Sequence, residues 1–157
     1  MRLSGSCYCH ALEYKLELES PDAARTSLCH CSSCKVKSLW NKLYGLTAKV
    51  PLMSFQYTSG KPKKFVGDNG SETILHRKFC DICGSFILEY GDPVKDDFRF
   101  ICLGSLDEPD ALPPKGEFFC ESRSKWMPEI PGTIITLLLK ERMIDSRLGR
   151  CFSQNED

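Results

Sequence analysis

The chain has 157 residues, one ordinary domain by length and enough to bury about two thirds of its unfolded surface. Lys+Arg 21 and Asp+Glu 21 cancel, so no overall field draws nucleic acid or an anionic membrane, and any such binding needs a local patch. Hydrophobic residues at 41% and charged residues at 27% exclude a disordered or fibrous chain, which leaves cysteine, at 10, as the outlier.

From the N-terminus, 1–6 run into Cys7 without an apolar stretch that reads as a secretory leader, so the expected compartment is the cytoplasm, or the nucleus. Clustered cysteines there are more often metal ligands or redox groups than disulfides. Segment 12–18 alternates at every step and places Leu12, Tyr14, Leu16 and Leu18 on one face of a half-buried strand. Short β-rich runs follow at 55–58, 73–75, 86–90, 98–103, 117–120 and 133–139, divided by Gly, Pro and Asp, which predicts a mainly β domain. The prolines of 109–116 predict a surface loop without regular structure. Apolar Met143, Ile144, Leu148 and Phe152 recur at helical spacing and predict a C-terminal amphipathic helix that covers a sheet. The longest apolar run, 134–139, falls far short of the about 18 residues a membrane span needs, so no membrane partner is expected.

Seven cysteines fall in three clusters: Cys7 and Cys9; Cys29, Cys31 and Cys34; Cys80 and Cys83. The C-x-x-C closed by Gly84 has the form of a zinc knuckle, because the turn brings two thiolates onto one ion. In an extended C-x-C both thiols face one way, so Cys7 and Cys9 supply a second pair and complete a Cys₄ site. The middle cluster supplies three donors, the pattern of a zinc with one position for water or substrate. A thioredoxin-like role for Cys80 and Cys83 lacks its βαβ context. Cys102 and Cys151 read as small buried hydrophobes, and Cys120 as a residue beside a cavity. His10 and His30 adjoin the ligands as acid/base or supporting groups, with His30 expected to point away from the metal, whereas His76 reads as a sheet residue and Arg77 as a structural one.

Gly5-Ser6-Cys7-x-Cys9, Cys29-His30-Cys31-Ser32-x-Cys34-Lys35, Arg77-x-Phe79-Cys80-x-x-Cys83-Gly84-Ser85, Gly104-Ser105-Leu106-Asp107-x-Pro109 and Glu121-Ser122-Arg123-x-x-Trp126 resemble, in order, the glutathione-dependent formaldehyde-activating enzyme family, which includes centromere protein V. The resemblance implies a β-tent of stacked antiparallel sheets over 1–132, and beyond it the apolar spacing of 133–157 predicts a strand and helix packed on the same domain. It implies two zinc ions, a structural one on Cys7, Cys9, Cys80 and Cys83 and a catalytic one on Cys29, Cys31 and Cys34. It further implies carbon-sulfur lyase chemistry on a thiol such as glutathione. The family often carries a histidine near the position of Glu117, which makes Glu117 a third acid/base candidate beside His10 and His30. Departures at Tyr8, His10 and 36–40 alter the wall around the second zinc and suggest a specialised metabolite, with Trp40, Tyr44 and Phe119 lining an apolar pocket. The competing expectation is a zinc-structured module without catalysis that binds protein or nucleic acid; zero net charge weighs against nucleic acid.

Overall fold

A computed structural model describes residues 1–37, 43–68 and 72–136. The expected C-terminal helix, Cys151, Trp40 and positions 137–139 lie outside the described residues. Eleven strands follow one another within the described residues: β1 (Arg2–Ser6), β2 (Glu13–Glu17), β3 (Arg25–Cys29), β4 (Gly45–Pro51), β5 (Phe55–Ser59), β6 (Lys63–Asp68), β7 (Ile74–Phe79), β8 (Phe86–Gly91), β9 (Phe98–Cys102), β10 (Gly116–Phe118) and β11 (Ile134–Thr136). One short helix, α1 (Ser32–Lys37), follows β3, and the protein is mainly β. No helix among the described residues is long and apolar enough to cross a membrane.

The chain divides into two compact units, the first 1–26 with 46–113, the second 27–45 with 114–157, so that it passes from one to the other within β3 and again within β4. In the first unit β1, β2 and β5 form an antiparallel sheet, and β6, β7, β8, β9 and β4 pair antiparallel in that order. Their inner faces share one core. Tyr14 and Leu16 from β2, Ala48 and Val50 from β4, Leu88 from β8 and Ile101 from β9 are each 2% exposed or less, and the alternation of 12–18 puts Leu12 and Leu18 in the same core. Tyr14 also explains Gly5: a Cβ there would stand 2.4 Å from the Tyr14 ring and from the Ser105 carbonyl oxygen, where Gly5 bridges to Leu106.

The second unit departs from the antiparallel expectation. β10 pairs parallel with β3 on one side and with β11 on the other. Alternation identifies a strand and its buried face but carries nothing about the direction of its partner, which depends on the long connections between these strands. Strands β1, β3, β4 and β6 escape the sequence reading because charged, hydroxyl and glycine residues interrupt their apolar pattern. Segment 109–116 is more regular than its prolines suggest: Pro109–Ala111 forms a 3₁₀ turn with Pro109 at its start, Leu112 is buried in the first unit, and Gly116 opens β10. Proline's missing N–H costs nothing in the first turn of a helix, which is where this one stands.

Candidate metal centres

In the first unit, Cys7, Cys9, Cys80 and Cys83 place their sulfurs within 4.8 Å of one another. Two tight turns build the group. Cys7 follows β1 into a turn in which the His10 N–H reaches the Cys7 carbonyl at 3.0 Å, so Cys7 and Cys9 are brought together by a turn and not by the expected extended step. His10 itself is exposed at φ 57°. Cys80 follows β7; the Gly84 N–H closes back on the Cys80 carbonyl at 2.9 Å, and Gly84 adopts φ 73°, the left-handed region that glycine tolerates best. Sulfur separations are 3.6 Å for Cys7–Cys9 and 3.7 Å for Cys9–Cys80. Four sulfurs about 2.3 Å from a tetrahedral zinc stand about 3.8 Å apart, so the group fits that ion. The Leu12 N–H donates to the Cys7 sulfur at 3.2 Å. The Ser85 hydroxyl, 3.2 Å from the Cys83 sulfur and followed by backbone N–H groups, holds that thiol down at about 5 against the cost of its burial.

The second unit gathers Cys29, Cys31 and Cys34 within the same 4.8 Å limit. Cys29 ends β3, Cys31 precedes α1, and Cys34 lies in its first turn with its N–H 3.3 Å from the Cys31 sulfur. Gly45 passes against this turn, where a Cβ would stand 3.0 Å from Cys34 Cβ and 3.4 Å from its sulfur. The Cys31 thiol and burial push Cys29 up to about 11, against the lowering contributed by Cys34. Three crowded thiols resist joint ionisation, and a soft cation relieves that cost. Among the described residues, no fourth His, Cys, Asp or Glu joins the set.

The flank of this triad is held by a buried ionic cluster. His30, between two of the cysteines, and Glu117 on β10 are both 0% exposed, and their Nε2 and Oε1 are 2.8 Å apart. Arg123 grips the same carboxylate in a fork, Nε to Oε1 at 2.8 Å and Nη2 to Oε2 at 3.2 Å. A carboxylate clasped by a guanidinium accepts only, so Nε2 of His30 carries the hydrogen. The His30 backbone N–H donates to the Phe118 carbonyl at 3.0 Å. Beyond β10, Phe119 takes φ 56° and turns the chain into a 3₁₀ turn over Cys120–Ser122; the Lys35 ammonium donates to the Ser122 carbonyl and the Cys120 sulfur donates to the Glu117 carbonyl at 3.5 Å. Tyr44 meets His30 edge-on with ring centroids 6.2 Å apart.

The seven cysteines expected as ligands thus assemble as four and three, His30 and Glu117 meet each other beside the triad, and His10 lies on the exposed turn of the other group. His76 is the sheet residue expected, paired with Asp92 at 2.8 Å, and Arg77 engages Glu89 at 3.2 Å. The partnership of Arg123 with Glu117 escaped the sequence reading; its motif drew notice, but a contact between a strand end and the turn after it has no periodic signature.

The glutathione-dependent formaldehyde-activating enzyme family matches residues 2–122, a stretch that contains every cysteine of both groups. No curated protein matches the chain. A crystal structure of a Rhodobacter sphaeroides protein is similar at 20% identity, over 66% of this chain and 87% of that one, with a TM-score of 0.49. The family match covers far more than half of the sequence, and the chain belongs to the glutathione-dependent formaldehyde-activating enzyme family.

Proposed function

We propose that the protein is a zinc enzyme of the carbon-sulfur lyase type, which makes or breaks the bond between a thiol sulfur and the carbon of a small carbonyl compound. A glutathione–formaldehyde adduct or a specialised metabolite of the same chemistry is the substrate. The observation that carries this reading is the unequal donor count among the described residues, four sulfurs in the first unit and three in the second. Cys7, Cys9, Cys80 and Cys83 hold a structural zinc, and Cys29, Cys31 and Cys34 hold the ion that meets substrate. A zinc on three thiolates has net charge 2 minus 3, or −1, so its contribution is to keep a substrate thiol ionised at neutral pH more than to activate water for hydrolysis.

In the forming direction a sulfur–carbon bond is made, the carbonyl π bond opens, and the thiol's proton ends on oxygen; the lyase direction reverses each change. Of the acid/base candidates, His30 and Glu117 are buried with their facing atoms engaged, which supports a positioning role: they fix the backbone between Cys29 and Cys31 so that the two thiols present together. Gly45 leaves room for Cys34. His10, exposed on the turn of the four-sulfur group, has no part in this reading. A reducing compartment such as the cytoplasm suits free, clustered thiols.

The test combines metal analysis with turnover. Pure protein should hold two zinc ions, Cys31→Ser should hold one, and carbon NMR should follow a hydroxymethyl thioether forming from labelled formaldehyde and glutathione, or from a panel of small thiols and aldehydes. One zinc per wild-type chain, or full metal content without turnover of any thiol–carbonyl pair, would favour the zinc-structured binding module instead.

A further inference from the structure

We propose that the first unit carries, on the face of β6–β9 that bears Tyr90, a binding site for a phosphate group on a small molecule. Three independent features meet there. Lys64 and Lys78 are direct cross-strand partners, so two like charges are held side by side at the edge strand β6, an arrangement that costs stability unless an anion joins it. Alternation puts His76 and Tyr90 on the same face, themselves cross-strand partners, with rings stacked at 4.8 Å and 11°. Arg99 on β9 lays its guanidinium 4.1 Å from the Tyr90 centroid and is fixed there by bonds from Nη1 to the carbonyls of Lys95 and Phe98 at 2.6 and 2.7 Å.

Two polar atoms of residues beside this cluster stand without partners. Tyr57 Oη and His76 Nδ1 are both buried, and neither finds a hydrogen-bond partner among the described residues. Such atoms normally meet one, since leaving them bare is costly. The acids nearby are occupied: Asp92 holds Nε2 of His76 at 2.8 Å, and Glu89 is engaged by Arg77 on the opposite face.

The chemistry of the occupant follows. Tyr90 sits between His76 on β7 and Arg99 on β9, so its faces are taken and a stacked base is disfavoured; recognition runs through charge and hydrogen bonds. Several cations with a phenol donor and an imidazole acceptor suit a phosphate, which accepts several hydrogen bonds at once and, as the monoanion, also donates one. Zero net charge over the chain makes this a local patch, and the buried partnerless atoms favour a discrete group over a polymer lying across the sheet.

Calorimetric titration of the full metal-loaded chain with inorganic phosphate and with glycerol 3-phosphate, against acetate and chloride at matched ionic strength, tests the site. Saturable binding of the phosphates is expected, weakened about tenfold or more in Lys78→Met and in Arg99→Lys, and a few-fold in Tyr57→Phe, with melting temperatures showing each variant folded. Phosphate heats no different from acetate, or equal phosphate affinity in Lys78→Met and Arg99→Lys, would overturn the proposal. Binding only to vesicles with phosphatidic acid would overturn it too, in favour of a lipid surface.

Discussion

The two thiol groups use one donor type and are built in opposite ways. The four-sulfur group is made by two local turns, each closed by its own backbone hydrogen bonds, with Gly84 at the left-handed position of one. The three-sulfur group straddles a strand end and a helix start, and its flank is fixed by Glu117, which is 87 residues from His30. A complete tetrahedron made of turns can hold itself, whereas three donors need outside support to keep their geometry while leaving room for another molecule. The placement of the supporting groups, together with the number of donors, is what distinguishes the two thiol groups.

The sharpest way to break this comparison is to remove one thiol from each group. Zinc at a closed thiolate site contributes on the order of 10 kcal/mol to folding, so Cys80→Ser should unfold the first unit, whereas Cys34→Ser should lose one ion and keep its fold. Chemical denaturation with metal analysis reads both, and equal effects would erase the distinction. Next in size is Glu117→Ala, which strands the Arg123 and His30 partners in a buried site and should cost about 3–5 kcal/mol. The gentler Glu117→Gln should weaken zinc on the triad about 10–100-fold in chelator competition while leaving the four-sulfur group loaded. Both groups weakening alike would make Glu117 a general stabiliser.

Gly45→Ala is smaller still. The new methyl would press on Cys34 Cβ at 3.0 Å and should cost about 1–3 kcal/mol, with a few-fold loss of metal from the triad alone. The smallest effect is a matter of pH in metal-free protein. The Ser85 hydroxyl holds Cys83 down at about 5, below the ordinary 9.0, so the thiolate is present at neutral pH, while the stability linked to it is complete only above about 9 and is lost as pH falls from there through about 5. Ser85→Ala should move the alkylation profile of Cys83 to higher pH, and an unmoved profile would remove Ser85 from the account.

The two thiol groups were legible because cysteine spacing is nearly free of context: a C-x-x-C with glycine at its end encodes its own turn, and the odd cluster stood out by count. The direction of β10 was not legible, since a three-residue strand has the same alternation whichever way its partner runs. Tyr14 and Leu16 announced their burial through period two, while Gly5 gave no local sign that a tyrosine ring would lie against it. His30 lies between two cysteines of the trio, and the carboxylate and guanidinium that receive it arrive from a distant segment, which no local window joins to it.

That remote clamp has a consequence for how the chain comes into being. During synthesis Cys29, Cys31 and Cys34 leave the ribosome well before Glu117 and Arg123 exist, so the nascent polypeptide shows a bare trio of thiols to the surrounding metal and oxidant pools. The full support of that trio waits until Arg123 has emerged, whereas the other cluster is complete once Cys83 has emerged. On the proposed reading, the group on which the chemistry depends is therefore the later of the two to be assembled.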